Sequence, residues 1–411
     1  MTYNELYQHL RTAHDEQQAE QVIPALHVKL LRFKFCSRGV PFLPGAHSYN
    51  CAEHGMEFNG QELATGGSYS PERSLLDTHD SAIHCNEIFH YLMMQPAEEA
   101  LSKGVILLFH GLNEKSWDKY LPWAYQLMKL TGKSVILFPI AFHMNRSPEA
   151  WSNAKLMQQV AHIRAQHHQH NSHISFVNAA ISTRLEENPQ RLFWSGLQTY
   201  KDVADFLLQL KKGAHSHIGA DATVDLFGYS IGAFFSIILL MANPHAMLSR
   251  SKLFLFCGGT TLDRMYPASR YILDTRSSVA LQSYFAEQMN NDFRGERRLA
   301  HYLSDAHGEE SSFKTMLQYN HYKETREQRL ATLSDRIYAI PLKQDSIIPP
   351  VEVINLLQGD FRNIPIPVEI MDFKYPYSHV NPFPLGRKHH GLVDTAFHEV
   401  MQKAAHFLGS L

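Results

Sequence analysis

Val224-Asp225-Leu226-Phe227-Gly228-Tyr229-Ser230-Ile231-Gly232-Ala233 runs an apolar segment into a Gly-x-Ser-x-Gly pentapeptide. A second apolar stretch, Ala233 to Met241, follows and stops at Pro244. The first run reads as a buried strand, and the last, apolar on every side, as a helix packed deep against a sheet. Ser230 between them must take a sharp, strained turn. The residues two before and two after it must then be small, because bulkier ones collide with neighbouring backbone. A serine there also caps a helix whatever its function, but an apolar strand before it and an apolar helix after it single out this one.

Further apolar runs lie on both sides: Val105 to Phe109, Val135 to Phe138, Leu253 to Phe256, Ile337 to Leu342 and Val368 to Phe373, each bounded by glycine, proline or charge. With Val224 to Phe227 they make six strands. Helix-period segments alternate with them, the pattern of a mostly parallel sheet covered on both faces. Tyr120, Leu121, Ala124, Leu127 and Met128 share one helical face, with Gly132 where a C-terminal cap belongs. Tyr200, Val203, Phe206, Leu207 and Leu210 repeat the pattern before Gly213, and Phe397, Val400, Met401, Ala404, Phe407 and Leu408 form a closing stripe.

A second signal stands upstream. Val105-Ile106-Leu107-Leu108-Phe109-His110-Gly111-Leu112 is an apolar strand ending in His-Gly. The two motifs, in this order and with these strands, resemble the α/β-hydrolase superfamily over about residues 104 to 409. The resemblance implies a nucleophile elbow at Ser230 and an oxyanion hole from the backbone N–H groups of Leu112 and Ile231. It also implies an acid after a later strand and a histidine after the last one.

Candidates for both follow. Arg336-Ile337-Tyr338-Ala339-Ile340-Pro341-Leu342-Lys343-Gln344-Asp345 delivers Asp345 just past a strand, where it can hold a histidine's tautomer and stabilise its charged form. Asp335 precedes the strand and Asp372 falls inside the last one. In Lys374-Tyr375-Pro376-Tyr377-Ser378-His379, His379 is the expected general base, with His389 and His390 as rivals if the loop is long; His398 belongs to the helix pattern.

Residues 141–198 and 260–334 are too long for simple loops and are helix-patterned, so a helical cap from two insertions is expected. The hydrolase-like domain then covers 96–411. Residues 1–95 form an N-terminal extension that includes a probable strand, Leu31, Phe33 and Phe35 alternating with Arg32 and Lys34, a helix-like spacing of Leu6 and Leu10, and a Gly/Ser patch around Gly66, Gly67 and Ser70. Asn113, Trp117, Arg146 and Tyr229 lie beside motifs that open on the catalytic end of the sheet and are candidate substrate contacts. An arginine like Arg146 also ties a lid to a body by salt bridges.

Lys plus Arg number 38 against 40 Asp plus Glu, and the net charge of −2 disfavours a nucleic acid partner. No stretch reaches the roughly 18 uncharged apolar residues of a membrane span, and the first residues lack the basic-then-apolar order of an export signal. A cytoplasmic location is expected. Cys36, Cys51, Cys85 and Cys257 are scattered in unlike contexts, so free buried thiols are expected rather than disulfides or a paired Cys-x-x-Cys metal site. Five histidines between His162 and His173 have no fixed ligand spacing and read as a polar helix face. No metal and no organic cofactor are expected, there being no Gly-rich dinucleotide loop and no His-Glu-x-x-His.

The sum is a serine hydrolase cleaving a carboxylic ester, or an amide or thioester, of a small-molecule acyl substrate, through Ser230, His379 and Asp345. The alternatives are an acyltransferase on the same triad and an inactive hydrolase-like binding protein. Oligomeric state is open.

Overall fold

Eight strands hydrogen-bond into one sheet: β1 (Glu20–Ile23), β2 (Val28–Cys36), β5 (Ile88–Pro96), β6 (Ser102–Phe109), β7 (Ser134–Leu137), β8 (Ile218–Tyr229), β9 (Leu253–Phe256) and β10 (Ile337–Ile340). A separate hairpin pairs β3 (Tyr49–Cys51) with β4 (Met56–Phe58). The computed structural model describes residues 1–46, 49–51, 53–58, 76, 78–168 and 170–409. The Gly/Ser patch at Gly66, Gly67 and Ser70 lies outside them.

The spatial order is β1-β2-β5-β7-β6-β8-β9-β10. The first three strands pair antiparallel, and β5 runs antiparallel to β7. From β7 to β10 every pairing is parallel. With helices on both faces this is the α/β-hydrolase fold that the resemblance implied, with the helical cap supplied by insertions between β7 and β8 and between β9 and β10. Strands 1, 2 and 5 come from residues before 97, so the N-terminal part contributes to the same sheet. Its first helix, Tyr3–Ala13, starts on a capping box between Thr2 and Glu5 and docks Tyr3, Leu6 and Leu10 against the helices Leu121–Thr131 and His390–Gly409.

Two-sided burial explains the unbroken apolar strands. Along β6, Val105, Leu107 and Phe109 enter one core cluster while Ile106 and Leu108 enter the other, since successive side chains point to opposite faces. Gly132 and Gly213 both take positive φ, +71° and +67°, behind the helices Leu121–Thr131 and Arg191–Lys211, as their places in the sequence indicated.

One expected strand is not a regular one. Val368 to Phe373 touches the sheet edge only through two isolated parallel bridges, Ala339 with Val368 and Leu342 with Met371. Proline accounts for the interruption. Glu369 N–H donates to Ala339 O at 2.9 Å and Met371 N–H to Pro341 O at 3.1 Å, but Pro341 has no N–H to return the bond that would join them.

The thiol expectation needs correction as well. All four cysteines are free, but only Cys51 and Cys257 are buried; Cys85 is half-buried, and Cys36, at the end of the outlying β2, is exposed. The histidines at 162, 167, 170 and 173 are exposed, around a helix, Ala154–His167, whose Met157, Val160 and Arg164 face inward.

Arg146 joins the cap to the body. Its guanidinium is fully buried: Nη2 donates to Asp202 at 2.8 Å, Nε to Asn86 Oδ1 at 3.0 Å and Nη1 to Pro139 O at 3.1 Å, and Phe89 lies 3.9 Å beneath it. Burial pushes the Asp202 carboxyl up to about 6 despite the opposing charge of Arg146, so desolvation offsets much of the pair's attraction. Arg146→Ala leaves Asp202 buried without its counter-charge. The expected loss is about 3–5 kcal/mol in urea unfolding, and a loss below about 1 kcal/mol would show that the pair carries little of the cap's attachment.

Candidate active site

Ser230 sits between the end of β8 and the helix Ile231–Ala242, with φ 57° and ψ −121°. A non-glycine residue holds such angles only when its surroundings over-determine them. Here they do. A Cβ on Gly228 would lie 2.6 Å from Ala233 Cα, one on Gly232 would lie 2.4 Å from Phe109 O, and one on Gly258 would lie 2.3 Å from Ala233 Cβ and 3.0 Å from Ser230 O. Ser230 N–H also donates to Phe256 O at 3.3 Å. The elbow is wedged between β6 and the chain leaving β9, with backbone on three sides.

Two loops bring the other residues to it. Ser230 Oγ is 2.6 Å from His379 Nε2, and His379 Nδ1 is 2.7 Å from Asp345 Oδ2. The three are 6%, 4% and 4% exposed in the order Ser230, His379, Asp345. The second carboxylate oxygen of Asp345 accepts the N–H groups of Ile347 and Ile348, each at 2.9 Å, which orients the side chain toward the imidazole. His389, with positive φ, and His390, which opens the last helix with its Nδ1 3.0 Å from Arg387 O, do not enter this constellation. Neither does His398, which lies 3.5 Å from Asp394.

Leu112 and Ile231 line one cavity, and among the described residues neither backbone N–H is hydrogen-bonded. The loop carrying Leu112 is held by His110. Its Nε2 accepts the N–H of Ile140 at 3.0 Å, so Nδ1 carries the proton and donates to Gly111 O at 2.8 Å. Burial, reinforced by His143, keeps this imidazole's pKa well below its ordinary value, so the ring stays neutral. Tyr120 OH accepts the Gly111 N–H at 2.9 Å and donates to Glu114.

The four candidate substrate contacts fall in different places. Asn113 is buried and spends its Nδ2 on Val177 O at 3.0 Å and Tyr271 O at 2.8 Å, tying the two cap insertions together over the site. Trp117 packs edge-on against His110 and Tyr120 inside the core. Arg146 is committed to Asp202 and Asn86, as described above. Tyr229 lies with its ring 5.8 Å from that of His379, and its hydroxyl donates to the His379 carbonyl; it positions the histidine loop. Cap attachment and loop positioning are long-range contacts, which adjacency to a motif cannot separate from substrate contact.

Two adjoining cavities are lined by residues next to the two motifs, Leu112 in both and Ile231 in one. One is lined by Leu112, Ile231, Phe234, Phe235, Phe313 and Leu317 among others. The second shares Leu112, His143, Leu192 and Ser195 with it and extends under the cap to Phe142, Trp151 and Ile181. Lys115 borders the second, where burial and the nearby Arg184 pull its ammonium down to about 8. Arg184 itself is bound to Asp80 at 2.5 Å and stacks on Trp151.

Residues 1–409 match a family described as a family of unknown function, DUF6051, and the chain belongs to that family. Among curated proteins none matches the sequence. Similar solved structures include carboxyl esterase 2 from the mycorrhizal fungus Tuber melanosporum, at 12% identity over 78% of this chain and 82% of that one, TM-score 0.43. A thermostable esterase from Pseudomonas putida ECU1011 follows at 11% identity over 79% and 80%, TM-score 0.39. Prolyl oligopeptidase B from Galerina marginata is similar at 11% identity over 95% of this chain and 38% of that one, TM-score 0.40. Among the described residues no helix is long and apolar enough to cross a membrane.

The elbow's packing generates a steric expectation. Gly232→Ala drives a methyl group into the Phe109 carbonyl, which is backbone and cannot swing away, and should cost about 1–3 kcal/mol or more. Gly295→Ala, where the added methyl meets nothing within 4 Å, should stay within about 0.5 kcal/mol. Urea unfolding of both variants checks this; equal stability would mean the elbow yields.

Proposed function

We propose that this chain, a member of the DUF6051 family, is a serine hydrolase that cleaves a carboxylic ester through an acyl-enzyme on Ser230. The observation that carries the reading is the continuous hydrogen-bonded line from Ser230 Oγ through both nitrogens of His379 to Asp345, at 2.6 and 2.7 Å, on a serine held at positive φ. A serine of ordinary structural role has no need of that strain or of a buried imidazole and carboxylate behind it.

The chemistry follows from the placement. As Ser230 Oγ bonds to the ester carbonyl carbon, His379 Nε2 takes the hydroxyl proton, and Asp345 stabilises the imidazolium from Nδ1 while staying ionised. The negative charge moves to the former carbonyl oxygen, where the unengaged N–H groups of Leu112 and Ile231 receive it. The carbon–oxygen bond to the alcohol then breaks, and His379 returns its proton to the departing oxygen. Water repeats the sequence on the acyl-enzyme: His379 removes its proton, the bond to Ser230 Oγ breaks, and the serine is reprotonated as the acid leaves.

The lining of the cavity that begins at Leu112 and Ile231 supports an apolar acyl group. Phe234, Phe235, Phe313 and Leu317 offer it no hydrogen bond, so discrimination there would be by chain length and shape.

A fluorophosphonate probe followed by peptide mapping tests the triad. Labelling at Ser230 is expected in the wild type and should vanish in Ser230→Ala. Asp345→Asn should lower kcat/KM for an activated ester by roughly 10⁴-fold. A folded wild type with no label on Ser230 sinks the proposal. Leu192 borders both cavities, so Leu192→Trp should lower the octanoate-to-acetate ratio of kcat/KM for p-nitrophenyl esters by about tenfold or more. An unchanged ratio means the acyl chain lies elsewhere.

A further inference from the structure

Away from the Ser230 site, four side chains from three separate segments converge. Cys51 ends β3, and His54 stands in the turn before β4. His301 comes from the helix Arg297–Leu303 in the second insertion, and His307 from the turn that follows. Cys51 Sγ lies 3.5 Å from His54 Nδ1 and 3.5 Å from His307 Nε2, and His307 Nε2 lies 2.9 Å from His301 Nε2. All four candidate ligand atoms fall within 4.8 Å of one another. Tetrahedral zinc, with bonds of about 2.3 Å to sulfur and about 2.0–2.1 Å to nitrogen, sets its ligand atoms about 3.4–3.6 Å apart. The Cys51–His54 and Cys51–His307 spacings already match, the His301–His307 pair need open by only a few tenths of an ångström, and the remaining pairs lie within 4.8 Å.

The three imidazoles meet edge to face. His54 meets His301 at 90° and His307 at 75°, and His301 meets His307 at 87°, an arrangement that leaves the four ligand atoms within 4.8 Å of one another. His307 is 1% exposed, and its Nδ1 is buried without a hydrogen bond. The carboxylates of Glu53 and Glu310 stand behind it at 3.5 and 3.7 Å, close enough for a small shift to give Nδ1 the acid partner that holds a ligating imidazole's tautomer. They also offset the single positive charge left when a thiolate and three neutral imidazoles bind a divalent ion.

We propose that Cys51, His54, His301 and His307 form a structural zinc site. One thiolate and three imidazoles suit zinc in ligand softness and number, and four protein ligands leave no open position for substrate. The exposed His54 is the side of entry. The ion would staple the β3–β4 hairpin to the second insertion, beside Arg298, whose guanidinium lies 3.7 Å from the rings of both Tyr49 and Trp194, and Tyr302, which bonds Asn50 O at 3.2 Å. Phe313, a wall of the cavity next to Ile231, is in the segment that leaves His307. Zinc would therefore hold one wall of that cavity without taking part in the reaction.

The test is independent of hydrolysis. Full-length protein stripped with chelator and titrated with Co²⁺ should take up one equivalent and show a thiolate-to-cobalt charge-transfer band with the strong visible bands of a tetrahedral ion. Zinc should displace it. Cys51→Ser, with its fold checked by circular dichroism, should lose the charge-transfer band, and Cys51→Ser/His301→Ala should bind zinc at least about tenfold more weakly. Ser230→Ala should bind as the wild type does. Should the variants fail to fold, wild-type alkylation decides: zinc must protect Cys51 from iodoacetamide, mapped by mass spectrometry. A folded wild type without the band, zinc retained at full strength in the double variant, or Cys51 alkylated equally with and without zinc each overturns the proposal.

Discussion

The close approach of backbone around Ser230 is the constraint on which the rest depends. The strand Ile218–Tyr229 cannot turn into its helix within one residue unless Gly228, Gly232 and Gly258 let three stretches of main chain meet. That contact sets the height of the serine above the sheet, and through Phe109 and His110 it also sets the loop that carries Leu112. Distances at the hydroxyl are therefore inherited from sheet register: Phe109 pairs with Gly228 and Tyr229 with Phe256. A shift of one residue in either pairing would turn every side chain to the opposite face and remove the elbow.

Above this rigid base the cap is joined by polar contacts in a dry interior. Arg164 reaches from the first insertion to Asp274 in the second at 2.5 Å and to Glu186 at 2.8 Å; Arg326 spends its guanidinium on the carbonyls of Thr315 and Tyr319. Such buried groups add little net stability compared with apolar packing, since desolvation offsets most of the attraction. Their geometric demand is strict, however. An insertion that could slide over an apolar surface is pinned in one place by directional bonds, and the cavities beneath keep their shape.

Legibility in the sequence followed locality. The elbow, the His-Gly turn and Asp345 after its strand were readable because each requirement is met within about ten consecutive residues by strand, turn and helix signals. His379 was readable by its order after the last apolar run, even though Pro341 reduces that run to two bridges. The partners of Asn113, Arg146 and Tyr229 were not, although a lid-to-body salt bridge was one reading of Arg146. Each lies next to a motif, but its partners are Tyr271, Asp202 and His379, between 56 and 158 residues away along the chain. The buried carboxylate opposite Arg146 leaves no mark on local pattern.

The Cys51 cluster shows the same division inside a single feature. Cys51-Ala52-Glu53-His54 has the short spacing of half a metal site, yet alone it is indistinguishable from a chance pair. His301 and His307, six residues apart, have no regular ligand spacing of their own. Only the packing of the second insertion on the β3–β4 hairpin supplies the second half, so the chemistry exists at the level of tertiary contact. The converse also holds. Five histidines close together between 162 and 173 invite a metal reading, but the exposed members of that run face solvent around a helix that turns its apolar side inward, and proximity along the chain brings no convergence. Ligand density in sequence and ligand convergence in space are separate properties, and only the second can hold an ion.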